Sequence, residues 1–157
     1  MRIELSGTQL VAAPVDVTWR NLIDHDFIAA AAPGIESVEM IDDEHFRAIA
    51  ALGVGSMSLR FALQLRLHDL APPTSVRMSV KGAAPGSAMR AEASASIAPT
   101  GPATTSLDWT VASDVHGTVA GVGARLLQST ARKMTESFWR KFAERTAATA
   151  REAAPPA

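Results

Sequence analysis

The chain has 157 residues, a formal net charge of -1, no cysteine and no tyrosine. That length suits one domain with a sizeable core, and the near-neutral balance supplies no global field toward nucleic acid or a membrane. The missing residue types exclude disulfides, thiolate catalysis, Cys-ligated zinc and phenolic acid/base chemistry.

The N-terminus, "MRIELSGTQLVAAP", has no basic segment followed by an apolar run, so no signal peptide is read there and a cytoplasmic location is the default. No uncharged apolar stretch approaches the roughly 20 residues of a spanning helix. Alternation predicts a first strand with Ile3, Leu5 and later Leu10 on one face, Arg2, Glu4 and Ser6 on the other, and Gly7 as a bulge. The period then changes. In "PVDVTWRNLIDHDFIAAAAPG", Val15, Trp19, Leu22, Ile23 and Phe27 recur at helical spacing, with Pro14 near the start and Pro33-Gly34 as the stop. The segment reads as two short helices broken around Asp24 to Asp26.

From Ile35 to Val115 the period returns to two, in six successive runs. The clearest put Leu59, Phe61, Leu63, Leu65 and Leu67 against Arg60, Gln64, Arg66 and His68, and Val76, Met78 and Val80 against Arg77, Ser79 and Lys81. Leu107, Trp109 and Val111 form the dry face of the last run. The segments "DDEH", "APPT", "APGS" and "APTGPA" supply hairpin turns, so the runs form an antiparallel meander. The final element, Thr118 to about Arg151, carries Leu127, Thr130 or Ala131, Met134, Phe138 and Phe142 about one turn apart. One unbroken helix is expected there, with Leu127, Met134 and Phe138 buried by the sheet. The fold class is therefore α+β, a curved sheet wrapped on a long helix. Residues 1–150 form a single domain, and "REAAPPA", 151–157, is a short flexible tail.

"DVHGTVAGVGARLL" places Gly117, Gly121 and Gly123 at the opening of the long helix. The spacing is not that of a dinucleotide fingerprint, and no Lys-Ser/Thr pair makes it a phosphate loop. The glycines are read instead as allowing close approach of backbones. Opposite them, "SAMRAEASASIAP" turns Ala91, Ala93 and Ala95 inward beside Met89 and Ile97, and Phe46, Ala48 and Ala50 give a similar taper. Either the helix lies close at these alanines, or the small side chains leave a void in what would otherwise be a densely packed interior. The cavity is the favoured reading. Its expected lining is Phe46 and Ala48, Leu63 and Leu65, Met78, the three alanines Ala91, Ala93 and Ala95, Trp109 and Val111, with Gly121 and Leu127 from the helix. Such a lining suits an apolar small molecule.

No catalytic constellation emerges. His25, His45, His68 and His116 are scattered, and "IDDEHF" is read as a solvated turn rather than a metal site, because consecutive residues in a hairpin diverge. No G-x-S-x-G motif occurs. Asp114 and His116 share one strand face near the expected cavity mouth, either as a strand-end hydrogen bond or as an acid/base pair. Along the long helix, Arg125, Arg132, Lys133, Arg140, Lys141, Arg145 and Arg151 outnumber Glu136, Glu144 and Glu152. That face is read as solvated surface, with contact to anionic lipid headgroups or an acidic partner as the weaker reading. No catalytic residue, metal or cofactor is assigned, and no nucleic-acid partner.

The stretches "IELSGTQLVAAPVDVTWRNLIDHDFIAAAAPGIESVE", "GVGSMSLRF", "KGAAPGSAMRAEASASI" and "VHGTVAGVGARLLQSTARKMTESFW" resemble the CoxG family of carbon monoxide dehydrogenase proteins, across roughly residues 2 to 145. The "APG" after the short helices and the "HGTVAGVGARLL" helix entry are the most specific pieces. The resemblance implies the START-like (SRPBCC) helix-grip fold, a seven-stranded curved antiparallel sheet around the long C-terminal helix with two short helices after strand 1. It implies a binding protein that handles a lipid or isoprenoid-quinone-like molecule and is associated with a carbon monoxide dehydrogenase-type molybdenum hydroxylase. The family's short-helix break reads Asp-Pro, whereas this chain has Asp24-His25-Asp26. The expected function is a non-catalytic hydrophobic-ligand carrier or accessory protein. The alternative is a cyclase, aromatase or hydrolase acting on a polyketide- or steroid-like ligand in the cavity.

Overall fold

The computed structural model describes residues 1–153. Strand β1 (Arg2–Val11) is followed by helices α1 (Val15–Leu22) and α2 (His25–Ala31). Strands β2 (Ile35–Met40), β3 (His45–Val54), β4 (Met57–Ala71), β5 (Ser75–Ala84), β6 (Ser87–Gly101) and β7 (Thr104–Gly117) follow. A 3-10 turn (Thr118–Val122) leads into α3 (Ala124–Ala153). All strands belong to one seven-stranded antiparallel sheet of order β1-β7-β6-β5-β4-β3-β2. The first strand thus pairs with the last, leaving β1 and β2 as the two edges, and α1 and α2 carry the chain from one edge to the other. Helix α3 lies on the dry face, packed against β1, α1 and α2. No helix among the described residues is long and apolar enough to cross a membrane.

The alternating runs behave as half-buried strands should. On β4, Phe61 and Leu67 are buried while Arg60, Gln64 and Arg66 are exposed. Strand β1 departs from expectation. Its register with β7 is continuous from Arg2↔Asp114 to Val11↔Thr105, so Gly7 is no bulge. With parity preserved, Leu10 points outward, 70% exposed, and Val11 takes the buried position.

The long helix also begins later than expected. Gly123 has φ of 100°, a conformation that side-chain-bearing residues rarely adopt, so it separates the 3-10 turn from α3. Close backbone approach is real at Gly117, where φ is 90° and a Cβ would collide with the carbonyl oxygen of Gly86 in the β5–β6 turn. At its other end α3 runs through Ala153, past the boundary expected at 150, and residues 154–157 of the expected tail lie outside the described residues.

Burial along α3 is uneven. Trp139, Phe142, Ala143, Thr146 and Ala147 are buried in its C-terminal half, whereas Leu127 is the buried residue of the N-terminal half. Met134 and Phe138, expected to be buried, are half-buried. Polar contacts fix the packed half: Asn21 on α1 donates through Nδ2 to Thr146 Oγ1 at 3.3 Å, in a buried site. Phe27 on α2 stands edge-on to Phe142 at 5.6 Å, and Trp109 on β7 stacks with Trp139 at 6.4 Å.

Candidate functional site

Between the sheet and the N-terminal half of α3 lies a cavity of about 400 Å³. Its sheet wall is made by the inward positions of β1, with Ile3 and Leu5, and of β3 to β7, which the strict period of two brings to one face. Phe46 and Ala48 come from β3, Leu63 and Leu65 from β4, Met78 from β5, Ala91, Ala93 and Ala95 from β6, and Val111 from β7. The methyl groups of β6 stop short of the helix, and the space is left open. On the helix side stand Leu127, Thr130, Ala131, Met134, Thr135, Phe138 and Trp139. This explains the half-burial of Met134 and Phe138, which face the cavity rather than a packed wall. Leu22 of α1, Ile28 and Ala29 of α2, and Ala32, Pro33 and Ile35 contribute beyond the β2 edge.

Two expected lining residues lie elsewhere. The Trp109 side chain packs beneath Gly7 and on Trp139, in the filled part of the core, and it is Trp139 that borders the cavity. Gly121 is exposed in the 3-10 turn, with open space around it, because the Gly123 break turns that segment away before α3 begins. Trp139 and Ser113 border the cavity without having been expected there, and Thr130, a stripe position on the helix, joins them. Trp139 sits off the narrow stripe, and only a wider apolar arc on the helix would have included it. Ser113 holds an inward position between Val111 and Val115, where the alternation alone marks it.

The lining is aliphatic and aromatic, relieved by a few hydroxyls. Thr135 Oγ1 donates to the Ala131 carbonyl at 2.7 Å, the back-bond typical of threonine within a helix. Arg77 is the titratable residue of the lining. Its guanidinium is held on the outer face, 4.0 Å from Asp69 and 4.0 Å from Glu92.

The candidate acid/base groups are dispersed away from the cavity. Asp114 and His116 alternate with the inward Val115 and so face outward, not toward a mouth. Asp114 accepts from Arg2 Nη1 at 3.2 Å. The Glu4 hydrogen bond and then the Asp114 charge raise the Arg2 pKa above its ordinary value. His68, on the outer face as expected, contacts Asp69 at 3.1 Å and Ser79 Oγ at 2.8 Å, while Ser79 donates to Glu92. In the β2–β3 turn, Asp42 Oδ1 accepts from the Glu44 and His45 amides and contacts His45 Nδ1 at 2.8 Å. The His45 side-chain contact, then the Glu44 and His45 amides, hold the Asp42 carboxyl below its usual range. These contacts turn the acidic segment in on its own backbone. His25 opens α2 behind the N-cap Asp24, is buried, and meets Phe46 edge-on at 4.6 Å. Among the described residues its Nε2 has no hydrogen-bond partner.

Solved structures share this architecture over nearly the whole chain. A conserved protein from Geobacillus kaustophilus matches with a TM-score of 0.86 and 22% identity, covering 95% of this chain and 97% of that one. A START superfamily protein from Mycobacterium smegmatis matches at 0.71 and 16%, covering 93% and 98%. The Zhui aromatase/cyclase from Streptomyces sp. R1128 matches at 0.70 and 17%, covering 93% and 94%. At these identities the likeness is one of fold, the START-like helix grip. Among curated proteins, no sequence matches this chain. The model of the CoxG family, described as a carbon monoxide dehydrogenase subunit, matches residues 7–147, nearly the full length of the helix-grip domain just described, and the chain belongs to that family.

Proposed function

We propose that the protein is a non-catalytic carrier that shelters an apolar small molecule, a lipid or isoprenoid-quinone-like compound, and serves as an accessory to a carbon monoxide dehydrogenase-type molybdenum hydroxylase. The cavity carries this reading. A space of about 400 Å³ falls in the range of roughly 300–1,000 Å³ typical of ligand pockets. Protein interiors otherwise pack as densely as organic crystals, so such a volume is not a packing defect. Transfer of an apolar chain from water into it is favourable by about 25 cal/mol per Å² of apolar surface removed. The family to which the chain belongs supports the partner class.

A cyclase, aromatase or hydrolase would need a group that gives and takes a proton within reach of the ligand. The lining supplies hydroxyls, and its arginine is engaged outside. The chemistry of the wall therefore favours holding a molecule over transforming it. We place the carrier in the cytoplasm and treat residues 1–150 as its working domain.

The test is direct. Organic extracts of gently purified protein are analysed by mass spectrometry, and the stripped protein is titrated with a menaquinone analogue and with a long-chain phospholipid. Saturable binding that raises the unfolding temperature is expected, since a ligand bound only to the native state stabilises it. If neither probe binds and the extract is empty, the carrier reading is lost.

A further inference from the structure

The registers of the sheet align its outward residues into rows. One row runs Arg47, Gln64, Lys81, Arg90 across β3, β4, β5 and β6, all exposed. Lys81 and Arg90 are direct cross-strand partners. Opposed residues on adjacent antiparallel strands have Cβ atoms roughly 4.5–5.5 Å apart, and like charges at that spacing destabilise the sheet. Glu39 stands opposite Arg47 and Asp114 opposite Arg90 at the two ends of the row, which leaves Lys81 and Arg90 as its adjacent like-charged pair. Among the described residues, Arg47, Lys81 and Arg90 make no ion pair within 4.0 Å. Asp114, opposite Arg90 on its other side, is engaged by Arg2, and Glu92 is engaged by Ser79 and Arg77. The chain therefore keeps a like-charged Lys81–Arg90 pair at the centre of this face, although its net charge is only -1.

Beside it the same registers align Ile49, Ala62, Ala83 and Ala88, of which the three alanines are exposed. This second row is flat and apolar. A bilayer surface is gripped by large inserted side chains such as Trp, Phe and Leu, which alanines cannot replace, and single-stranded nucleic acid is held on aromatic platforms that this strip lacks. The basic face of α3 is different in kind, because its charges alternate with Glu136 and Glu144, and Arg132 meets Glu136 at 3.6 Å.

We infer that the outer face of the sheet, centred on Lys81 and Arg90 and bordered by Ala62, Ala83 and Ala88, docks a folded protein partner whose contact surface is rich in carboxylates. Carboxylates brought onto the row would turn the like-charge repulsion into attraction and steer the encounter. The face lies on the opposite side of the sheet from the cavity, so a carrier could dock without covering its ligand. The identity of the partner rests on the proposed function, and the placement of the surface does not.

The experiment measures binding of the purified molybdenum hydroxylase holoenzyme from the same organism to wild type, Lys81→Glu and Arg140→Glu, at low and high salt. Lys81→Glu creates an opposite-charge pair with Arg90, so its unfolding temperature is expected to equal or exceed that of wild type. Its affinity for the hydroxylase is expected to fall at least tenfold at low salt, with a flattened salt dependence. Arg140→Glu, on α3, is expected to bind like wild type. Unchanged affinity in Lys81→Glu, or a loss confined to Arg140→Glu, overturns the surface while leaving the partner intact. No binding by wild type removes the partner and the surface together. Lys81-dependent binding to phosphatidylglycerol vesicles, with none to the hydroxylase, overturns the proposal in favour of a lipid surface. Menaquinone-analogue binding by Lys81→Glu is measured alongside, and its persistence separates loss of docking from loss of the carrier site.

Discussion

Gly7 lies directly over the indole of Trp109, its register partner across β1 and β7, and a Cβ built on Gly7 would come within 2.6 Å of Trp109 Cζ2. The glycine exists to admit a ring. That ring in turn stacks on Trp139 with an interplanar angle of 21°, so the absence of one methyl group on β1 helps set how closely α3 approaches the sheet. Gly7→Ala is expected to destabilise the protein by about 1–3 kcal/mol, the usual cost of overpacking. Chemical denaturation at constant slope checks it.

Trp109 and Trp139, two of the three tryptophans, should report differently on the cavity. Trp139 borders it and Trp109 lies in the packed region beyond. On titration with a menaquinone analogue, Trp109→Phe is expected to retain a saturable fluorescence change, and Trp139→Phe to lose most of it. A response that survives only in Trp139→Phe would place the ligand elsewhere.

Ala93 lines the middle of the cavity wall. Ala93→Phe should project its ring into empty space and compete with the ligand, reducing affinity more than tenfold. Its stability cost should stay below the roughly 1–3 kcal/mol typical of overpacking a filled core. Calorimetric unfolding together with the apolar-ligand titration reads both quantities, and a large loss of stability would mean that the space is not available.

Thr105, completely buried, donates from Oγ1 to the Ala13 carbonyl at 2.8 Å and ties β7 to the chain entering α1. Thr105→Val keeps the shape and strands that carbonyl. The expected cost is about 1–3 kcal/mol, measured by denaturant unfolding. Thr105→Ser, which restores the donor, should recover part of it.

Asp42 supplies the pH prediction. Its folded pKa lies below the unfolded value, chiefly through the His45 side-chain contact and then the Glu44 and His45 amides. The contribution of this turn is therefore present above the ordinary carboxylate range and lost as pH falls through the lowered folded value. Hydrogen exchange at the Glu44 and His45 amides should accelerate on acidification, beyond the intrinsic pH dependence of exchange. In Asp42→Asn this acid-dependent loss of protection should disappear.

Much of the architecture was legible in the residues because faces are local. Strand parity in "LRFALQLRL" or "SAMRAEASASI" states which side chains share a side, hairpin turns state which strands adjoin, and the stripe from Leu127 to Phe142 states what α3 must cover. On the same grounds the alanines of β6 could be recognised as small inward side chains, with the helix either closing on them or leaving a void. Facing inward is nevertheless not the same as facing a void. Trp109 and Ala93 point to the same side of the sheet, yet one is stacked in the packed core and the other opens onto empty space. That division follows from the uneven seating of α3, set by contacts between residues far apart in the chain: Gly7 over Trp109, Trp109 on Trp139, Phe27 against Phe142, and Asn21 to Thr146. These draw the C-terminal half of the helix onto the core. The N-terminal half starts instead from the Gly123 break and stands off the alanines. Local periodicity determined the elements and their faces, whereas the position of the cavity is a distance between elements, and only tertiary packing sets a distance.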